Sequence, residues 1–148
     1  AGIVAGSGLR KRTMTEASSW LPDPDEHNQP FFDGARAGEL RMQCCSDCSG
    51  WMYPVKQRCQ HCGSTDLAWR VVSGRGTLYS HARLHRVYHP RHEGRLPLTL
   101  AWIDLEEGVR MPSNLVDCDP ADVKAGMSVQ VTFEQFPDGA VIPVFRPM

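Results

Sequence analysis

The chain has 148 residues, with 16 Lys and Arg against 17 Asp and Glu, for a formal net charge of −1. That balance lacks the basic excess of a free-standing nucleic-acid binder. No apolar run is long enough to cross a bilayer as a helix. The length fits one domain or two small ones, and 11 Pro with 13 Gly predict many turns and short strands.

Residues 1–13 differ from the rest: small residues lead into Leu9-Arg10-Lys11-Arg12. They read as a vector-derived leader, with a natural basic arm as the alternative. Trp20 to Asn28 is rich in Pro and Asp and reads as a linker, or as an arm that orders on a partner, so residues 1–28 are set apart as leader and flexible N-terminal arm. Gln29 to Gly38 then has the marks of a short helix, with Pro30 suited to its first turn and Gly38 to its stop. Phe31, Phe32 and Ala35 would share one face. A helix this short needs a docking surface, so Phe31 and Phe32 are candidate partner contacts, with docking inside the chain as the alternative.

Cys45-Ser-Asp-Cys48 and Cys59-Gln-His-Cys62 follow, with ten residues between them. Paired Cys-x-x-Cys knuckles place four thiolates at the corners of a tetrahedron, the arrangement a structural Zn²⁺ takes. Four cysteines leave no open position for a catalytic water. A single redox Cys-x-x-Cys or a disulfide framework fits less well, and thiols in metal spacing fit a reducing cytoplasm. His61 could compete as a ligand but reads better as an exposed knuckle residue. Cys44 should point away from the metal, and Cys118 reads as an ordinary half-buried thiol. Trp51 to Val55 and Leu67 to Val72 supply the ribbon strands. So small a module has little core, so metal binding should contribute most of its folding free energy, on the order of 10 kcal/mol.

Ser73-Gly74-Arg75-Gly76 marks a turn and a boundary, dividing residues 29–73, helix and ribbon, from 74–148. Beyond it the pattern predicts five strands: Thr77 to His85, Leu96 to Leu105, Val109 to Val116, Ser128 to Phe136 and Ala140 to Phe145. In the first, Leu78, Ala82 and Leu84 should face one way and Tyr79, His81, Arg83 and His85 the other. The second is nearly all apolar and should be covered on both faces. Pro112 marks an edge or bulge in the third. Asp119 to Gly126 should form a one-turn helix. The fold class is mainly β: a short helix and zinc ribbon, then a five-stranded OB-fold barrel.

The order of these pieces resembles the zinc-ribbon/OB-fold proteins associated with acyl-CoA metabolism. The likeness runs from about Gln29 to Met148 and rests on Pro30-Phe31-Phe32, Glu39-Leu40, both knuckles, Ser73 to Ser80, Asn114-Leu115-Val116, Gly126 to Val129 and Pro143 to Pro147. It implies a rubredoxin-like ribbon and a non-catalytic accessory subunit in a hetero-oligomer. The implied partner is a thiolase-superfamily enzyme, either a thiolase or a lipid-transfer-protein-like aldolase of steroid side-chain degradation that performs retro-aldol cleavage. Catalytic residues are then expected on the partner and none here.

The stretch His81, Arg83, His85, Arg86, Tyr88 and Arg91 is cationic in an otherwise balanced chain. It borders the barrel's ligand face, where guanidinium forks would suit the phosphates of an acyl-CoA. The alternative is a solvated loop. A single-stranded nucleic-acid-binding module is a second function class, and an independent hydrolase of CoA thioesters a third.

Overall fold

The computed structural model describes residues 24–88 and 92–148. The leader, the start of the arm, His89 and Arg91 lie outside the described residues. The described arm is a turn: Asp25 Oδ1 accepts from the Asn28 amide at 2.8 Å, and Asn28 Oδ1 accepts from the Asp25 amide at 2.8 Å. It feeds α1 (Gln29–Arg36), which carries Pro in its first turn, and Gly38 follows at φ 75°.

β1 (Arg41–Cys45) lies between β2 (Trp51–Met52) and β3 (Leu67–Val71) in an antiparallel sheet. Five further strands close a barrel in the order β4-β5-β6-β8-β7: β4 (Arg75–Leu84), β5 (Leu98–Leu105), β6 (Arg110–Leu115), β7 (Ser128–Gln135) and β8 (Val141–Pro147). β6 and β8 run parallel and pair only at Leu115 opposite Phe145, helped by the Ser113 hydroxyl, which donates to the Pro143 carbonyl at 3.0 Å.

Ribbon and barrel share one core. Leu40 and Met42, at the ribbon end, are buried in the same cluster as Leu78, Ile103, Val129 and Phe145. The knuckle end has little else: Cys45, Met52 and Cys59, with Leu67 against them. α1 packs on β1 and β8. Pro143, Val144 and Phe145 are consequently buried in succession, because β8 has the barrel core on one side and α1 on the other.

Three local expectations are corrected. First, β5 alternates: Thr99, Ala101, Ile103 and Leu105 are buried, while Leu100 and Trp102 are 40% and 49% exposed. A barrel wall meets the core on one face only, and nothing within the described chain covers the other.

Second, β4 changes face midway. Leu78 pairs with Ile103 but Ser80 pairs with Trp102, so Tyr79 is the extra residue of a bulge. Directly opposed residues share a face. Leu78 therefore points inward with Ile103, whereas Ala82 and Leu84 join Leu100 and Leu98 on the outside. His81 and Arg83, opposite Ala101 and Thr99, fall on the core side, where the strand runs past the packed interior and leaves them exposed. Tyr79 no longer shares their face.

Third, Asp119 to Gly126 forms turns rather than a helix. The Asp119 carboxylate accepts from the Ala121 amide at 2.8 Å, and its carbonyl from the Asp122 amide at 2.9 Å. This local turn competes with helix formation. β3 ends with Val71 57% exposed, and Val72 after it is buried, its amide bonding the Leu40 carbonyl.

Gly76 sits where β4 passes between β5 and β7. A Cβ there would lie 2.4 Å from the Asp104 carbonyl oxygen. Backbone cannot yield as a flexible side chain can, so Gly76→Ala should destabilise the protein by about 1–3 kcal/mol, read as a lower denaturant midpoint at unchanged slope.

Candidate metal centre

The four knuckle cysteines come from the end of β1 and from two short turns. Cys45 ends β1, and its carbonyl accepts from the Ser49 amide at 2.9 Å, closing the first turn. Ser49 sits at φ 58°, taking the left-handed position that knuckles commonly give to glycine. The following Gly50 serves a different need: a Cβ there would lie 2.4 Å from the His61 ring. The second turn closes through the Gly63 amide on the Cys59 carbonyl at 2.9 Å, with Gly63 at φ 79°.

These turns bring the Sγ atoms of Cys45, Cys48, Cys59 and Cys62 all within 4.8 Å of one another. Cys45 and Cys62 are 3.6 Å apart, and Cys48 and Cys59 are 3.5 Å apart. Sulfurs held ~2.3 Å from a zinc ion at tetrahedral angles stand ~3.8 Å apart, so the cage has the right size for Zn²⁺. Cys45 and Cys59 are buried and Cys48 and Cys62 exposed. The remaining two cysteines do not join: Cys44 is buried with Sγ directed to a backbone carbonyl, and Cys118 is half-buried. His61 is exposed and its Nε2 lies 3.4 Å from the Trp51 carbonyl.

Desolvation alone would raise Cys59, but the backbone amides of Cys62 and His61 and the neighbouring thiols outweigh it and hold Cys59 at about 6. At Cys48 the Gly50 backbone favours the thiolate, yet the other thiols and desolvation prevail and push it up to about 12. Cys62 is also raised: the Ser64 backbone and Cys48 favour its thiolate, but desolvation, Cys45 and Cys59 prevail. The Cys59 thiolate is thus easily formed, and those of Cys48 and Cys62 need a dication to offset their mutual repulsion. With four sulfurs around it the Zn²⁺ has no open position, so the centre is structural.

Sequence reasoning missed Gln43, which braces the ribbon. It is buried, its amide donates to the Lys56 carbonyl at 3.1 Å, and its carbonyl accepts from the Lys56 amide at 2.7 Å. This anchors the loop between the knuckles. Its only signal was a polar residue between Met42 and Cys44.

The other candidate residues are dispersed. Phe32 is buried, while Phe31 is half-buried, 5.4 Å from Phe32 and 6.2 Å from Tyr53 between ring centroids. His81, Arg83, His85, Arg86 and Tyr88 are all exposed. Arg83 donates to the Pro120 carbonyl. Arg91 lies outside the described residues. On the opposite side of the barrel wall, Arg110 holds Asp104 through two bonds of 2.5 and 2.9 Å, and its guanidinium stacks 3.3 Å from the Tyr79 ring centroid. That pairing raises the pKa of Arg110 and lowers that of Asp104.

Comparison with known proteins matches residues 32–68 to the ChsH2 rubredoxin-like zinc ribbon domain and residues 69–134 to the ChsH2 C-terminal OB-fold domain. The chain is 40% identical over 125 residues to the 3-oxo-4,17-pregnadiene-20-carboxyl-CoA hydratase alpha subunit of Mycobacterium tuberculosis, covering 78% of this chain and 39% of that protein. It spans less than half the length of the hydratase alpha subunits it matches. A DUF35 domain-containing scaffold protein of Methanothermobacter thermautotrophicus is 30% identical, covering 90% of this chain and 96% of that one. Among solved structures, a chain of the Ltp2-ChsH2(DUF35) aldolase superposes with a TM-score of 0.77 at 32% identity, covering 86% of this chain and 98% of that one.

Two outcomes test the metal centre. Cys62→Ser should lose zinc and melt the knuckle end, read by metal analysis and circular dichroism. Zinc uptake should also release protons from Cys48 and Cys62 at neutral pH, and an additional one from Cys59 below about pH 6. Apparent affinity should therefore fall as pH falls, and more steeply below about 6, measured by calorimetry in buffers of different ionisation enthalpy.

Proposed function

This chain belongs to the ChsH2 family of paired rubredoxin-like zinc ribbons and OB-folds, the DUF35 proteins, and on that premise we propose that it is a non-catalytic accessory subunit of a thiolase-superfamily enzyme. The partner on this reading is a lipid-transfer-protein-like aldolase that cleaves the side chain of a steroid held as a CoA thioester. The observation that carries it is the superposition on nearly the whole of a chain of the Ltp2-ChsH2(DUF35) aldolase. The closed four-sulfur site supports it, because such a zinc has no position for substrate or water. The name of the archaeal relative, a scaffold protein, supports the same role.

On this reading the ribbon and helix give the barrel a rigid base, and retro-aldol chemistry belongs to the partner. His81, Arg83, His85, Arg86 and Tyr88 border the site where the CoA phosphates lie. Guanidinium groups pair with phosphate in a forked geometry. The complex works in the reducing cytoplasm, where knuckle thiols stay available to zinc.

A second reading rests on the 40% identity to a hydratase alpha subunit. There the same scaffold serves a hydratase acting on an enoyl-CoA, with catalytic groups in a part of the enzyme outside this chain.

The test is co-purification from the native host, identification of the accompanying protein, and assay of the complex. A thiolase-superfamily companion and retro-aldol turnover of a steroid side-chain CoA thioester support the first reading. Hydration of an enoyl-CoA selects the second. Turnover by the isolated chain, or tight oligonucleotide binding with a steep salt dependence, defeats both. In the working complex, Arg83→Ala with Arg86→Ala should raise KM for the CoA thioester about tenfold at nearly unchanged kcat, as loss of uniform binding does.

A further inference from the structure

We propose that the outward face of β5 and β6, centred on Trp102, is where the thiolase-superfamily subunit docks, through an apolar surface of its own. The placement rests on the accessory reading above and adds the contact surface to it.

Three observations locate the face. The bulge at Tyr79 turns Ala82 and Leu84 outward, beside Leu100 and Leu98. Trp102 lies opposite Pro112, which is also exposed. The apolar strip then continues from Leu100 and Pro112 into a groove of ≈ 380 Å³ whose far wall is Phe31, Tyr53 and Ile142. Thus the helix aromatics and the barrel wall border one surface. Apolar ground of this continuity marks an interaction site on a folded protein.

Chemistry selects the occupant. Asp104 and Arg110 neutralise each other at the edge of the strip, and the Arg110 guanidinium is laid on Tyr79. The strip itself offers no free charge to a polyanion, although this strand pair is the one with which OB-folds bind oligonucleotides. The exposed cationic residue Arg83 sits on the other face of β4, with His81. A protein surface of aromatic and aliphatic side chains is complementary to the strip, and a half-exposed Trp is the residue type that anchors such contacts. The aldolase-associated neighbour is covered over 98% of its length by this chain. A surface that joins such a chain to its partner must therefore lie almost wholly within the helix, ribbon and barrel that the two share.

The experiment uses the full chain and the thiolase-superfamily companion identified by co-purification from the host. Trp102→Asp and Leu100→Glu should each weaken the complex at least about thirtyfold by calorimetry, with zinc content and melting profile unchanged. Lys124→Ala, at an exposed residue outside the strip, should bind as the parent chain does. A folded, zinc-loaded Trp102→Asp chain with parental affinity overturns the placement and leaves the accessory reading standing. A parent chain that binds no thiolase-superfamily protein overturns the accessory reading, and the placement with it. If Trp102→Asp does not fold, hydroxyl-radical footprinting of the parent chain decides. Trp102 labelling should drop several-fold in the complex, while labelling of the exposed Met148 stays constant, and undiminished Trp102 labelling overturns the placement. Self-association of the parent chain that Trp102→Asp abolishes assigns the face to a second copy and overturns the choice of occupant.

Discussion

Four sulfurs within 4.8 Å of one another are a constraint before they are a site. Thiolates at that spacing repel, and thiols alone gain little from it, so the knuckles close only around a dication. The rest of the chain inherits that closure through β1. Its last residue, Cys45, belongs to the metal cage, while Met42, three positions earlier, belongs to the core shared with the barrel. One five-residue strand therefore connects the metal to the barrel packing. Gln43 lies between them and ties down the loop that carries the chain from one knuckle to the other.

A second constraint comes from the seam of the barrel. β6 and β8 meet at a single residue pair, which leaves the wall thin on that side. α1 packs against β8 there, and Phe32 is buried in the process. A helix of eight residues, too short to persist alone, is held by covering a strand that would otherwise show Val144 or its neighbours to water. Phe31, half-buried beside Tyr53, borders the groove that remains.

The bulge at Tyr79 then separates two chemistries that alternation alone would have mixed. One extra residue in β4 reverses the faces beyond it. The outer wall becomes apolar and electrically neutral, and Arg83 falls on the other side with His81.

Much of this was legible in the residues. The knuckle spacing specified the metal and its ligands because tetrahedral coordination permits few arrangements of four cysteines. Pro30 and Gly38 bounded the helix through their own backbone limits, and five short strands with turn residues between them specified a small barrel. Tertiary structure alone decided which apolar side chains met the core. Leu96 to Leu105 read as a strand buried on both sides, but only packing shows that β8, under α1, holds that place while Leu100 and Trp102 face out. The shift at Tyr79 was equally silent, since a bulge depends on how neighbouring strands twist and pair, and the buried role of Gln43 depends on a loop thirteen residues away. Local backbone chemistry is written residue by residue; the assignment of faces is a property of contacts between segments distant in the chain.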